Sequence, residues 1–264
     1  MPRRLAALAV LPVAGALLAT AACGSSAGAR SDASGGAEKP AAKPSAAAKP
    51  ADNGVAALPA AEIVKKAQQA MAGAGAYRMT GFITDEGKRG RNDLRVTTAG
   101  DCVGTASVRG GTGTQVIQIG KEVWEKPDRA AWASSQDPKA EAKAKGRWLH
   151  GTTIDDALTA VAPEFLMCAM AARMGTAQDD GGATFTRAGR GTVNGVPVVV
   201  VKAVDKDGAT MLSVATTGKP YLIRTANGGK DASTSDFSEF GTKPEITEPA
   251  AAETVEAKAI VLAG

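Results

Sequence analysis

Three cysteines, one histidine and seven methionines hold most of the reactive side-chain chemistry in this chain of 264 residues. Cys23 is the most telling of them. It closes the run Leu17-Leu18-Ala19-Thr20-Ala21-Ala22-Cys23, behind Arg3, Arg4 and an apolar stretch from Leu5 to Leu18. A cationic start stays cytoplasmic, and the Ala-rich stretch is too short for a good membrane span. Small residues at Ala21 and Ala22 let a signal peptidase close on the backbone. The thiol would then carry a diacylglyceryl group and become the mature N-terminus. Thr20 stands where such signals usually have leucine, and an ordinary secretory signal with an incidental cysteine is the competing reading. Cys102 and Cys168 remain, an even pair in an exported, oxidising context, which predicts a disulfide between them. Two buried free thiols are the alternative.

Catalytic chemistry is poorly represented. His150 is the lone histidine, set beside Trp148-Leu149, and a lone histidine is no constellation. No G-x-S-x-G, Walker loop, H-E-x-x-H or C-x-x-C occurs. Gly111-x-Gly113 is followed by Val116 rather than a third glycine, and its surroundings read as strands. Asp205, Asp207 and Gly208 lack the glutamate a calcium loop needs, and Asp179-Asp180 reads as a solvated turn. No catalytic residue, metal ligand or cofactor is therefore expected. The formal charge is +4, and losing Arg3 and Arg4 with the signal lowers it by two, to +2. Nucleic acid is a poor partner on that balance.

The elements that must position these residues can be read along the chain. Residues 1–22 form the signal peptide and 23–57 a lipidated linker, Gly/Ser-rich at first, then Ala/Pro/Lys-rich and expected to be disordered. Such a coil spans about 30 Å. Pro59–Ala72 reads as an amphipathic helix with Ile63, Ala67, Ala70 and Met71 on one face. From Ala76 to Lys126 the period changes to two, with turns at 85–87, 100–101 and 110–113, an antiparallel meander. Pro127 to Met174 is a helical middle. Asp128 caps a short helix carrying Trp132, 139–145 is a helix or a loop, and Trp148-Leu149 is an apolar anchor. Thr153 can cap the next helix. Glu164–Met174 is apolar nearly all round and is expected to be buried on most sides. Strands return from Ala183 to Phe240, with Asn194-Gly195 as a type I′ hairpin signal. The tail from Thr242 ends in an apolar segment that the pattern does not place.

One helix, five strands, a helical insert and four or five further strands resemble the order of the LolA/LppX/LprG-type lipoprotein carriers. The likeness is carried by Gly218-Lys219-Pro220-Tyr221-Leu222-Ile223-Arg224, by Asp236-Phe237-Ser238-Glu239-Phe240-Gly241 and by Lys243-Pro244-Glu245-Ile246. Tyr77-Arg78-Met79-Thr80-Gly81, Gly120 to Pro127 and Gly146-Arg147-Trp148-Leu149 also fit. The resemblance covers 58–249, leaving 250–264 as a C-terminal tail. It implies an α+β fold: a strongly curved antiparallel sheet, an open half-barrel, with helices covering the concave face and an apolar cavity between. It also implies a monomeric envelope lipoprotein on the outer face of the cytoplasmic membrane. That protein would be held by its N-terminal lipid and would bind or carry acyl chains of a lipid, lipoglycan or lipoprotein. Few aromatics, 4% of residues, would let the helices pack close on the sheet.

An acyl chain needs a dry space and few hydrogen bonds. Phe165, Met167, Met170 and Met174 on the last helix of the insert could line it with adaptable thioethers, and Val199, Val201, Leu212, Val214, Tyr221 and Ile223 could form the sheet wall. All ten could equally be core. The competing function is a protein-interaction or sensor module at the envelope without lipid cargo.

Overall fold

Apolar residues at every second position build the inner face of one large sheet. The computed structural model describes residues 51–85, 87–107, 113–134, 139–174 and 182–261. The signal, Cys23, the linker up to residue 50, the turn at 110–112 and Asp179-Asp180 lie outside them. The first five strands are β1 (Ala76–Asp85), β2 (Lys88–Thr97), β3 (Cys102–Ala106), β4 (Thr114–Ile119) and β5 (Glu122–Lys126). After the insert come β7 (Thr184–Val193), β8 (Val196–Asp205), β9 (Gly208–Ala215), β10 (Leu222–Asn227) and β11 (Ser233–Ser238). Two short strands, β6 (Trp148–Thr152) and β12 (Thr254–Glu256), complete the order β12-β6-β5-β4-β3-β2-β1-β11-β10-β9-β8-β7. The sheet is open and curved, with helices on its inner face.

Three points refine or correct the sequence reading. The ladder is not wholly antiparallel, because β12 pairs parallel with β6, Val255 opposite Leu149. And Trp148-Leu149, read as an anchor, opens a strand, too short to show a period of its own. Thr153 is not the cap of α4 (Asp156–Val161): Asp155 is, its Oδ1 accepting from Ala157 N–H at 2.9 Å. Asp128 caps α2 (Arg129–Ser134) as expected, accepting from Ala131 N–H at 2.8 Å. Residues 139–145 resolve to α3 (Ala140–Ala144).

The folded unit also begins earlier and ends later than composition suggests. Asp52 bridges Thr217, and Val55 and Ala56 are buried in the main core. At the other end α6 (Ala257–Val261) buries Ala257 and Ile260 beside α4 and β6. Lys143 Nζ donates to the Ile260 carbonyl at 2.8 Å.

Alternation sets the two faces. Tyr77, Met79, Leu94 and Val96 are buried inward, while Arg78, Asp93 and Arg95 face out. Outside, Arg78 meets Asp93 at 2.6 Å and Glu239 at 3.1 Å, and Arg95 meets Glu239 at 3.0 Å. Exposed pairs of this kind are each worth about 0–1 kcal/mol and mainly fix register. Gly81 marks a close approach: a Cβ there would stand 1.9 Å from the Thr234 carbonyl oxygen of β11. On the inner face α1 (Ala60–Ala72) lies over β7 to β10, and α5 (Leu166–Met174) over β2 and β3. Cys102 of β3 and Cys168 of α5 are bonded, Cα to Cα 5.8 Å. The Tyr77 hydroxyl donates to the Ala171 carbonyl, a second tie between sheet and α5.

Candidate functional site

α1 presents Val64, Ala67, Gln68 and Met71 at helical spacing toward the sheet. Val64, Ala67 and Met71 are buried. Ala67, at the middle of that stripe, is too short to reach β9 and β10. A cavity of about 260 Å³ remains there. Its sheet wall is Leu212, Val214 and Thr210 of β9, Leu222, Thr225, Ala226 and Asn227 of β10, and Ser233 of β11, and Met174 closes one side. Val64, Met71, Val214 and Leu222 supply much of the apolar part of the lining. A cavity of about 150 Å³ accommodates benzene, so by proportion this one holds about ten carbons of a chain.

Of the ten residues that could line a cavity, Met174, Leu212 and Val214 do so. Phe165, Met167, Val199 and Val201 are buried in the main core, and Met170 packs against it. Ile223 belongs to a separate cluster with Val198 and Ala215, and Tyr221 stacks on Phe240 with ring centres 4.0 Å apart. Beneath the Phe165 helix, Phe165, Met167 and Cys168 are packed into the core, and the disulfide and the Tyr77 hydroxyl tie α5 to β3 and β1. The cavity sits instead beneath α1. Nor is α5 buried on most sides: Phe165 precedes it in a turn, and Leu166, its first residue, is 49% exposed. The α1 and β10 residues were missed, although α1 had a legible signal, small alanines in the middle of an otherwise bulky stripe.

A second hollow, of about 510 Å³, lies where the C-terminal segment passes Gly75, Thr98 and Ile119. It is open and flanked by Asp101 and Lys243, so it offers no dry space.

The chain resembles the mycobacterial lipoproteins LprF and LppX. LprF from Mycobacterium bovis is 17% identical, with 72% of this chain and 97% of LprF covered at a TM-score of 0.47. LppX from Mycobacterium tuberculosis is 12% identical, with 75% and 100% covered and a TM-score of 0.46. A LolA superfamily protein from Nitrosomonas europaea is 8% identical, with 72% and 96% covered and a TM-score of 0.27. No family model matches the chain, and no curated protein does. At such identities no residue role carries over.

Two polar clusters lie on β5, β6 and β12, several strands away from the cavity wall. Glu125 of β5 is fully buried, its carboxyl beside the Phe165 backbone. Burial pushes its carboxyl well above the usual range, and the neighbouring Glu164 adds to this. Glu164, at the head of α5, is pushed up to about 7, again chiefly by burial, with Asp128 contributing. Burial thus favours the neutral form of both carboxyls, and Glu164 gives up its proton around neutrality. On the outer face His150 stacks on Trp124 with ring centres 5.0 Å apart. Its ring nitrogens meet Glu256 at 2.7 Å and Glu122 at 2.8 Å, joining β12, β6 and β5. Burial opposes charge on His150, but the two carboxylates prevail and hold its pKa above the ordinary value. Among the described residues no group of three or more His, Cys, Asp or Glu could hold a metal ion. No described helix is long and apolar enough to cross a membrane.

Proposed function

We propose that this protein is an envelope lipoprotein, anchored through Cys23 to the outer face of the cytoplasmic membrane, that binds or carries an acyl chain without catalysing a reaction on it. The observation that carries this reading is the cavity beneath α1, whose lining includes the apolar side chains of Val64, Met71, Val214 and Leu222. Each methylene moved there from water contributes about 0.8 kcal/mol, so ten would contribute about 8 kcal/mol before the cost of association. The signal sequence and Cys23 support the address, and the linker supports a domain held near the bilayer but clear of it. The clusters around Glu125 and His150 support and brace the fold rather than act on a substrate.

Native mass spectrometry of the purified full chain, after exposure to envelope lipids, tests this. One bound acyl species per chain is expected, with binding abolished in Ala67→Phe, whose ring fills the cavity. No acyl adduct, together with a stable lipid-independent protein partner in a pull-down, would replace the carrier by the interaction module.

A further inference from the structure

The cavity lining changes its chemistry in register along the strands. On the inner face Thr210, Asn227 and Ser233 stand side by side on β9, β10 and β11, next to the turns that end those strands. One step inward Leu212 stands beside Thr225, and beyond them Val214 beside Leu222. Thr210 to Val214 is about 13 Å at 3.3 Å per residue. Over that length the lining passes from hydroxyl and amide to pure hydrocarbon.

The polar end is built without ions. Asn227 and Ser233 satisfy each other: Asn227 Oδ1 accepts from the Ser233 N–H at 2.7 Å and from its hydroxyl at 2.5 Å. Thr210, Thr225 and Gln68 are half-buried and make no side-chain hydrogen bond to another described residue. No charged side chain is among the described residues that line the cavity. The turn from β8 to β9 carries Lys206 and Asp207, beside Asp205 at the end of β8, and the turn from β10 to β11 carries Lys230 and Asp231. Lys206 is already held by Asp207 at 2.7 Å. A carboxylate or phosphate arriving here would lose water and find no cation in the lining, an unfavourable exchange. A hydroxyl or ester would find donors and acceptors that lack partners.

We propose, on the basis of the acyl-binding reading above, that the cavity selects a single acyl chain whose head group is uncharged and bears hydroxyls. The chain lies on Val214 and Leu222, and the hydroxyls meet Thr210, Thr225 and Gln68. Calorimetric titration of the full chain with monodecanoylglycerol, decyl glucoside, decanoate and dioctanoyl phosphatidylglycerol, each below its micelle threshold, tests this. A hydroxyl-bearing neutral probe should bind about tenfold or more tightly than decanoate, as two neutral hydrogen bonds would give. Preference for the glycerol ester assigns the head to glycerol; preference for the glucoside assigns it to a sugar. The Thr210→Val, Thr225→Val double variant should lose that advantage and keep its affinity for decanoate. Decanoate or the phospholipid binding as tightly as both neutral probes would overturn the inference while leaving acyl binding intact. An unchanged advantage in the double variant would overturn the role of the two threonines. Failure of all four probes to bind would overturn the acyl-binding reading itself. Should the variant not fold, the ranking on the unaltered chain still decides.

Discussion

Replacing Glu164 by glutamine should flatten the response of stability to pH. The carboxyl is pushed from 4.5 to about 7 by burial at the head of α5. A raised folded-state pKa means that the folded protein holds the proton more tightly than the unfolded chain. The stability this contributes is complete below 4.5 and is lost as pH rises through about 7. A shift of that size corresponds to about 3 kcal/mol, at about 1.4 kcal/mol per pH unit. Urea denaturation followed by tryptophan fluorescence, at pH 4 and pH 8, measures it. The unaltered protein should lose about 3 kcal/mol more between those pH values than Glu164→Gln does. Part of the pH dependence should survive in the variant, because Glu125 is shifted in the same direction. Parallel losses in the two proteins, within about 0.5 kcal/mol of each other, would refute the reasoning: Glu164 would then be solvated, and the head of α5 not packed as described.

Other perturbations test the scaffold and the cavity separately. Removing the Cys102–Cys168 bond, which spans 66 residues, by a double alanine substitution should cost about 4 kcal/mol in the chain-entropy picture, read from urea midpoints. Gly81→Ala places a methyl against the Thr234 carbonyl and should cost more than about 2 kcal/mol, with faster amide exchange along β1 and β11. His150 contributes its bridge fully below pH 6.5, and loses it as pH rises through its raised pKa. Amide exchange in β12 and α6 should therefore quicken at alkaline pH, and His150→Gln should remove that change. Ala67→Phe should abolish acyl binding while the circular dichroism spectrum is retained.

Strands and hairpins were legible because their signals are local. Alternation in Tyr77-Arg78-Met79-Thr80 and the Asn194-Gly195 turn need only neighbouring residues to be read, and β7 pairs with β8 across that turn, Val193 opposite Val196. The parallel pairing of β12 with β6 was not legible, since the three residues of β12 show no period and its partner lies far back in the sequence. The cysteine pair could be counted from the sequence, but what it does to the cavity could not. It ties α5 to β3, and Phe165 and Met167, residues whose composition alone made them attractive as a lining, pack into the core. The true lining depends on a gap, and a gap is a property of two surfaces. Ala67 marks the helix side of it, while Leu222 and Thr225 had no signal that separated them from ordinary strand residues.

The placement of the acyl chain is tested most directly by nuclear Overhauser contacts between bound monodecanoylglycerol and methionine methyl groups labelled with carbon-13 in the full chain. Met71 and Met174 line the cavity beneath α1, whereas Met167 is packed in the core under α5. The expected result is ligand contacts at Met71 and Met174 and none at Met167. Contacts at Met167 without Met71, or no methionine contacts from a ligand known to be bound, would contradict it.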